Sequence, residues 1–318
     1  MKKTYYSSGT YYKPYIYKGL KGRYLHMPAV NKEAKRTFVL LYGQHATLER
    51  IEPIIGALTE FGDVYAVDNP GFGGMESAYK IGEYPSLKFY AGHLKYFLDT
   101  VVPEDRSVTL LGVSFGFQII TETLKEYPKL LPRIEQAISF VGFVSHADFH
   151  LPLSYKLPLI DFIGNISKSW FGSKVVELFL HDWIITSIYR LSKPIQAKVK
   201  TMKSSEVKKY ASEQAWLWRV NDIRTHSVTA IDFIKRNDLT GYRINVSALH
   251  VGVPKDHLLD NGLVVKELAE IYKPFENYNL HLANHAPLDL DSREKVLDLL
   301  PEELRSKLKV SRNMKAVL

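Results

Sequence analysis

A serine hydroxyl attacks a carbonyl only when a base takes its proton, so the serines that matter chemically are those the chain lifts onto an exposed corner. Residues 112 to 116 read Gly112, Val113, Ser114, Phe115, Gly116, a Gly-x-Ser-x-Gly pattern. Before it stands an apolar run, Val108 to Leu111; after it Phe117, Ile120, Thr121 and Leu124 recur at helical spacing until Pro128. The spacing predicts a strand, a sharp corner and a helix, with Ser114 at the corner as nucleophile. Such a corner strains its central residue and crowds the residues two before and two after it, positions that Gly112 and Gly116 fill. Average composition alone would produce the five-residue pattern about 0.1 times in a chain of this length, so the reading rests on partners as well.

The first partner is a base, and the second is a group that fixes the base's tautomer and stabilises its charge. His285 sits in Asn284-His285-Ala286-Pro287, between a short strand-like stretch, Tyr278 to Leu282, and a terminal helix expected near Asp291. Upstream, Ile244 to Val251 reads as a strand and is followed by the turn Gly252-Val253-Pro254-Lys255-Asp256. Asp256 is the first choice of orienting carboxylate. Asp260, four residues on, and Asp148, after a strand expected over Ala137 to Val144, are the alternatives. The chain order Ser, Asp, His is that of nucleophile-elbow hydrolases. His45, His146, His150 and His257 lack the paired spacing of metal ligands and read as polar loop residues, so neither a metal nor another cofactor is expected.

Four motifs together resemble the α/β-hydrolase superfamily, in its form with a helical lid, over nearly the whole chain. They are the elbow, the turn from Gly252 to Asp256, the His285-Ala286-Pro287 loop, and Asp68-Asn69-Pro70-Gly71-Phe72-Gly73, which follows a strand expected at Val64 to Val67. The resemblance implies an oxyanion hole made of the backbone amides of Gln44 and Phe115, with Gly43 and His45 beside the substrate. Two residues depart from the usual pattern. Tyr42 stands where most relatives carry His, and Phe117 stands where many have a small residue, which would narrow the pocket floor.

What the resemblance implies about activity is hydrolysis of an ester or related acyl bond, through an acyl-enzyme on Ser114. The expected partner is a small to medium, apolar acyl substrate. A serine nucleophile argues against the epoxide-hydrolase and dehalogenase branches, which use Asp there. Carbon-carbon hydrolysis, acyl transfer and a non-catalytic binding role remain as alternatives, because fold does not fix function.

Strand and helix patterns alternate except between about 146 and 240, where long helical patterns take over. Val175, Val176, Leu178, Phe179, Trp183, Ile184, Ile188 and Leu191 form a broad apolar face, and all four tryptophans fall in this interval. The expected fold is α/β: a mostly parallel central sheet with an N-terminal antiparallel hairpin, helices on both faces and a helical lid inserted after the sixth strand. Residues 1–145 and 241–318 would form the core domain and residues 146–240 the lid, covering Ser114. The aromatic lid residues suit either an apolar pocket or the lid's own small core.

At 318 residues and 46% hydrophobic content the chain is long enough to bury one large core and carry such an insertion. It has no cysteine, hence no disulfide framework. The basic N-terminus lacks the apolar stretch of a secretory signal, so a cytoplasmic location is expected. The net charge of +8 gathers at the ends: residues 1–36 carry nine Lys or Arg against one Glu, and residues 304–318 carry five against no acid. This arrangement allows weak peripheral membrane contact through the termini and does not suggest a nucleic-acid groove. The many N-terminal tyrosines fit a hairpin with strands at Tyr15 to Lys18 and Arg23 to Met27.

Overall fold

The computed structural model describes residues 11–150, 164–179, 204–235, 241–256, 258–280 and 291–309. Tyrosine-rich β1 (Tyr12–Tyr17) and β2 (Leu20–Met27) form the expected antiparallel hairpin. β3 (Arg36–Leu41), β4 (Gly62–Val67), β5 (Val108–Val113), β6 (Ile134–Phe140), β7 (Ala248–Gly252) and β8 (Phe275–Asn279) complete an eight-stranded sheet of order β1-β2-β4-β3-β5-β6-β7-β8. β2 meets β4 antiparallel, and every neighbouring pair from β4 to β8 is parallel. Strands buried on both faces need continuous apolar runs, and β3 (RTFVLL) has no exposed residue.

Four helices serve the sheet around the corner: α1 (Leu48–Leu58), α2 (Leu87–Thr100), α3 (Phe115–Glu126) and, later, α7 (Asn261–Ile271). Between β6 and β7 the described residues hold α4 (Trp170–Phe179), α5 (Ser204–Val220) and α6 (Ile223–Lys235), and the chain closes with α8 (Arg293–Leu299) and α9 (Glu302–Lys309). At the amino ends of the central strands, buried Arg36 is paired with Glu135 at 3.4 Å and donates to Thr109 and Gln136, each at 3.2 Å. The carboxyl ends are the side of the sheet where α/β folds bind ligands.

Several boundaries differ from the sequence reading: the hairpin strands start earlier, at Tyr12 and Leu20, and β7 begins at Ala248 and not Ile244. β6 stops at Phe140 because Val141 turns to φ 44°, a left-handed conformation that a β-branched residue rarely adopts and that no strand can contain. β8 lies earlier than expected, its register held from Ala248 opposite Phe275 to Gly252 opposite Asn279. Among the described residues, no helix is long and apolar enough to cross a membrane.

The hairpin packs on α2 through an aromatic nest, with the His93 ring 5.6 Å from that of Tyr15 and 5.1 Å from that of Tyr17. His93 is fully buried, and neither ring nitrogen has a hydrogen-bond partner among the described residues. Burial pulls its pKa down to about 3. The folded chain thus keeps His93 neutral, whereas the unfolded chain protonates it below about pH 6.5. Its contribution to stability is full above that pH and is lost progressively as pH falls toward 3. In His93→Phe, which keeps the ring and removes the two polar atoms, the stability lost between pH 7.5 and 5 should shrink by about 2 kcal/mol, read from urea unfolding at both pH values. An unchanged pH dependence would show that His93 is not the group responsible.

Candidate active site

The corner after β5 has the geometry its glycines require. Ser114 takes φ 50° and ψ −120°, and α3 begins at Phe115. This conformation lies outside the regions ordinarily open to L-residues and costs on the order of 1–3 kcal/mol. Backbone hydrogen bonds on both sides hold it: Ser114 N–H donates to Phe140 O, and Phe117 N–H to Ser114 O, each at 3.0 Å. A Cβ at Gly112 would stand 2.4 Å from the backbone of Phe117, and one at Gly116 would stand 2.3 Å from Leu41 O. Main chain cannot yield as a flexible side chain can, so both positions exclude any larger residue.

The loop after β3 lies directly against this corner. A Cβ at Gly43 would be 3.1 Å from Ser114 Cβ and 3.7 Å from its Oγ. The structure therefore brings Gly43, and with it the peptide leading to Gln44, together with Ser114 and Phe115. Tyr42, the departure from the usual His, ties down the start of the loop. Its phenol donates to Asp68 Oδ1 at 2.8 Å and accepts from Asn69 N–H at 3.1 Å. Burial, and next to it the Asp68 charge, hold the phenol well above its ordinary pKa, so it remains a donor.

Asp68 has no exposed surface and also accepts from Arg23 Nε at 2.7 Å and Gly74 N–H at 2.8 Å. Its carboxyl is raised by burial, against the pull of Arg23 and Tyr42. Gly73, at φ 58°, permits the approach, since a Cβ there would be 2.2 Å from Asp68 Oδ1. Phe117, expected at a pocket floor, is instead fully buried, with its ring 5.8 Å from that of Tyr272 in the core.

The candidate acids occupy adjoining loops beyond β6 and β7. Asp256 is nearly buried, and its Oδ1 accepts from Leu258 N–H at 2.8 Å and Leu259 N–H at 3.3 Å. Asp148 is fully buried and accepts through Oδ2 from Val144 and Ser145 N–H at 2.9 and 3.0 Å, while its Oδ1 has no partner among the described residues. Burial pushes Asp148 up to about 6, although those two amides lower it. The loops are stitched together by Asp260 N–H donating to Asp148 O at 2.7 Å and His150 N–H donating to Leu258 O at 2.9 Å. Asp260 caps α7 through Gly262 and Leu263 N–H. His285 and His257 lie outside the described residues. Among the described residues, no group of three or more His, Cys, Asp or Glu is arranged to hold a metal ion.

Comparison with known families and structures bears on this arrangement. A model of the serine aminopeptidase, S33, family matches residues 32–249, from the approach to β3 into β7. The chain belongs to this family of α/β hydrolases. The match includes the Ser114 corner and ends before Asp256 and His285. Curated proteins give no match by sequence.

Among solved structures, the esterase EaEST from Exiguobacterium antarcticum superposes with a TM-score of 0.66 at 16% identity, covering 92% of this chain and 97% of its own. The esterase RhEst1 from Rhodococcus sp. ECU1013 gives 0.63 at 14%, covering 95% and 100%. Carboxylesterase CesB from Bacillus subtilis gives 0.59 at 18%, covering 90% and 88%. At such identities the likeness is one of fold.

The S33 chain also engages residues that local sequence patterns do not mark. The Gln44 carboxamide donates to His226 O and to Thr229 Oγ1 of α6, both at 2.8 Å. The His45 ring sits 4.3 Å from that of Trp218 on α5 and 5.0 Å from that of His226. Burial holds His45 well below its ordinary pKa and brings His226 down to about 4. Phe233 of α6 inserts beside Phe115, Phe143 and Phe149, with ring centroids 5.7, 5.3 and 5.9 Å away. Of the four tryptophans, Trp218 supplies this contact, Trp170 is exposed, Trp216 is 37% exposed, and Trp183 lies outside the described residues. The tryptophans therefore do not all share one small core.

Proposed function

We propose that this S33-family hydrolase cleaves carboxylic esters of small to medium, apolar acyl groups through an acyl-enzyme on Ser114. The observation that carries the reading is the strained Ser114 corner with the Gly43 loop pressed against it, because a nucleophile elbow works with such a loop beside it, whose backbone amide can share the oxyanion with the amide after the nucleophile. His285 takes the hydroxyl proton as Oγ attacks the ester carbonyl, and Asp256 orients and stabilises the imidazolium. The amides of Gln44 and Phe115 hold the tetrahedral oxyanion. His285 then passes the proton to the departing alkoxide, and water, deprotonated by the same imidazole, releases the acid and regenerates Ser114. The rings of Phe115, Phe143, Phe149 and Phe233 support an apolar acyl site, and residues 146–240 act as the cap over it.

The test is a fluorophosphonate probe, with the adduct located by peptide mass spectrometry, alongside turnover of p-nitrophenyl butyrate. Labelling at Ser114 and turnover lost in Ser114→Ala are expected. A folded protein that Ser114→Ala leaves equally active, or that takes the probe at another serine, would reject the mechanism.

A further inference from the structure

We propose that helix α6 is a working part of the oxyanion hole, with the Gln44 side chain and the Thr229 hydroxyl as positioning groups that hold the Gln44 amide at the reacting centre. This rests on the acyl-enzyme reading above and adds to it a mechanical link between the β6–β7 insertion and the chemistry.

A Gln beside a nucleophile can orient its side chain in two ways, and its neighbours decide between them. The carboxamide has two N–H donors and one acceptor, and a partner that is a carbonyl oxygen can only accept. His226 O is such a partner, so the amide orientation is fixed with Nε2 toward α6. The second donor goes to Thr229 Oγ1, which passes its own proton to Thr225 O at 2.8 Å. Thr229 is 2% exposed, so the chain from Gln44 through Thr229 into the helix backbone is shielded from competing water. Both hydrogens of Gln44 are thus directed to a helix more than 180 residues away in sequence, and neither is left to bind substrate.

The loop needs such a tie. His45, the next residue, holds φ 57°, and left-handed strain in a residue other than glycine persists only where its surroundings over-determine it. Three of four consecutive residues are anchored in different directions: Tyr42 to Asp68, Gln44 to α6, and the His45 ring to Trp218 and His226. The helix is itself fixed to the core. Asp222 N–H donates to Gly71 O at 2.8 Å, Ser77 Oγ reaches Asp222 Oδ2 at 3.0 Å and Thr225 Oγ1 at 2.8 Å, and Tyr84 reaches Asp232 at 3.0 Å. α6 is therefore a strut bolted to the loop from Gly71 to Tyr84, and Gln44 takes its position from it.

The test compares Thr229→Val, which keeps shape and removes the hydroxyl, with Thr229→Ser, which keeps the hydroxyl. Gln44→Met keeps the backbone amide and loses the carboxamide, and Ser77→Ala loosens α6 without touching Gln44. With p-nitrophenyl butyrate, Thr229→Val and Gln44→Met should lower kcat about 10- to 100-fold with KM changed less than about threefold, because a misplaced donor weakens transition-state binding selectively. Thr229→Ser should recover most of the rate. The Gln44→Met/Thr229→Val pair should be little slower than either single variant, and Ser77→Ala, which removes one bolt of the strut, should lower kcat by a smaller factor than either. A Thr229→Val enzyme of normal kcat, or a Thr229→Ser enzyme as slow as Thr229→Val, overturns the inference while the acyl-enzyme mechanism stands. A wild-type protein that takes no phosphonate at Ser114 overturns both.

Discussion

On the proposed mechanism, Asp256→Asn should lower kcat for a p-nitrophenyl ester by about 10⁴-fold, whereas Asp148→Asn should leave kcat within a factor of about three. Both carboxyls sit in adjoining loops at the carboxyl ends of β6 and β7 and each accepts two successive amides on one oxygen, so what tells against Asp148 is its raised pKa. Asp256 is held by two successive amides, Leu258 and Leu259, on one oxygen, an arrangement that fixes the carboxyl plane. A triad acid must be ionised to stabilise imidazolium, and an amide in its place favours the wrong tautomer of the base.

Asp148 is raised to about 6, chiefly by burial, and one oxygen has no partner among the described residues. A carboxyl whose folded pKa lies above its unfolded value opposes folding as pH rises through the interval between them, here from about 4 to about 6. Asn mimics the neutral form and retains an oxygen for the Val144 and Ser145 amides. Asp148→Asn should therefore hold or raise Tm at pH 7.5, and the wild-type advantage should return below pH 5. Steady-state kinetics and thermal melts of the two variants decide the matter. Loss of turnover in Asp148→Asn with a normal Asp256→Asn would move the acid to the β6 loop.

What can be read from the sequence is whatever depends on near neighbours along the chain. The elbow is legible because strand, corner and helix follow within one short segment, and because Gly112 and Gly116 answer to backbone atoms of the same turn and of β3. The hairpin, the buried parallel strands and the family follow from equally local patterns. The end of β6 is not legible: Ala137 to Val144 is largely apolar, and only the backbone turn at Val141 stops the strand. Phe117 escapes for a similar reason, since helical spacing places a residue on a face without saying whether that face meets a pocket or the core. The role of Tyr42 is hidden because its partner, Asp68, belongs to a separate motif. The pairing of Gln44 with α6 leaves no trace in either segment, because a Gln and a Thr 185 residues apart carry no mutual pattern.

Asp68→Ala should cost about 4 kcal/mol of folding stability and Asp68→Asn only about 1–2, an ordering that separates hydrogen bonding from charge as the purpose of this buried group. In Ala, Tyr42 Oη, Gly74 N–H and Arg23 Nε lose an acceptor together, and each stranded donor costs about 1–3 kcal/mol when water cannot replace the partner. In Asn, the carbonyl oxygen can take the Oδ2 position and accept from Gly74 and Arg23 while the amide nitrogen donates to Tyr42 Oη, so the bonds can survive. Charge alone would predict a different result, because Asn and Ala both leave Arg23 without its carboxylate. Arg23 retains Glu49 at 2.6 Å, and that pair is more than a quarter exposed on each side, so solvent screens what remains. The raised pKa of Asp68 points the same way: burial costs its ionised form more than Arg23 and Tyr42 return, so a neutral group in its place is tolerated. Urea unfolding of both variants measures the difference, and equal losses would mean that pairing with the Arg23 charge, and not hydrogen bonding, is what Asp68 supplies. Activity supplies the second readout. Tyr42 hangs on Asp68 and leads directly into Gly43 and Gln44, so Asp68→Ala should lose kcat as well as stability, while Glu49→Gln should change each by little. The buried carboxylate is then retained for the hydrogen bonds it accepts and for the course it imposes, through Tyr42, on the loop that leads to Gly43 and Gln44.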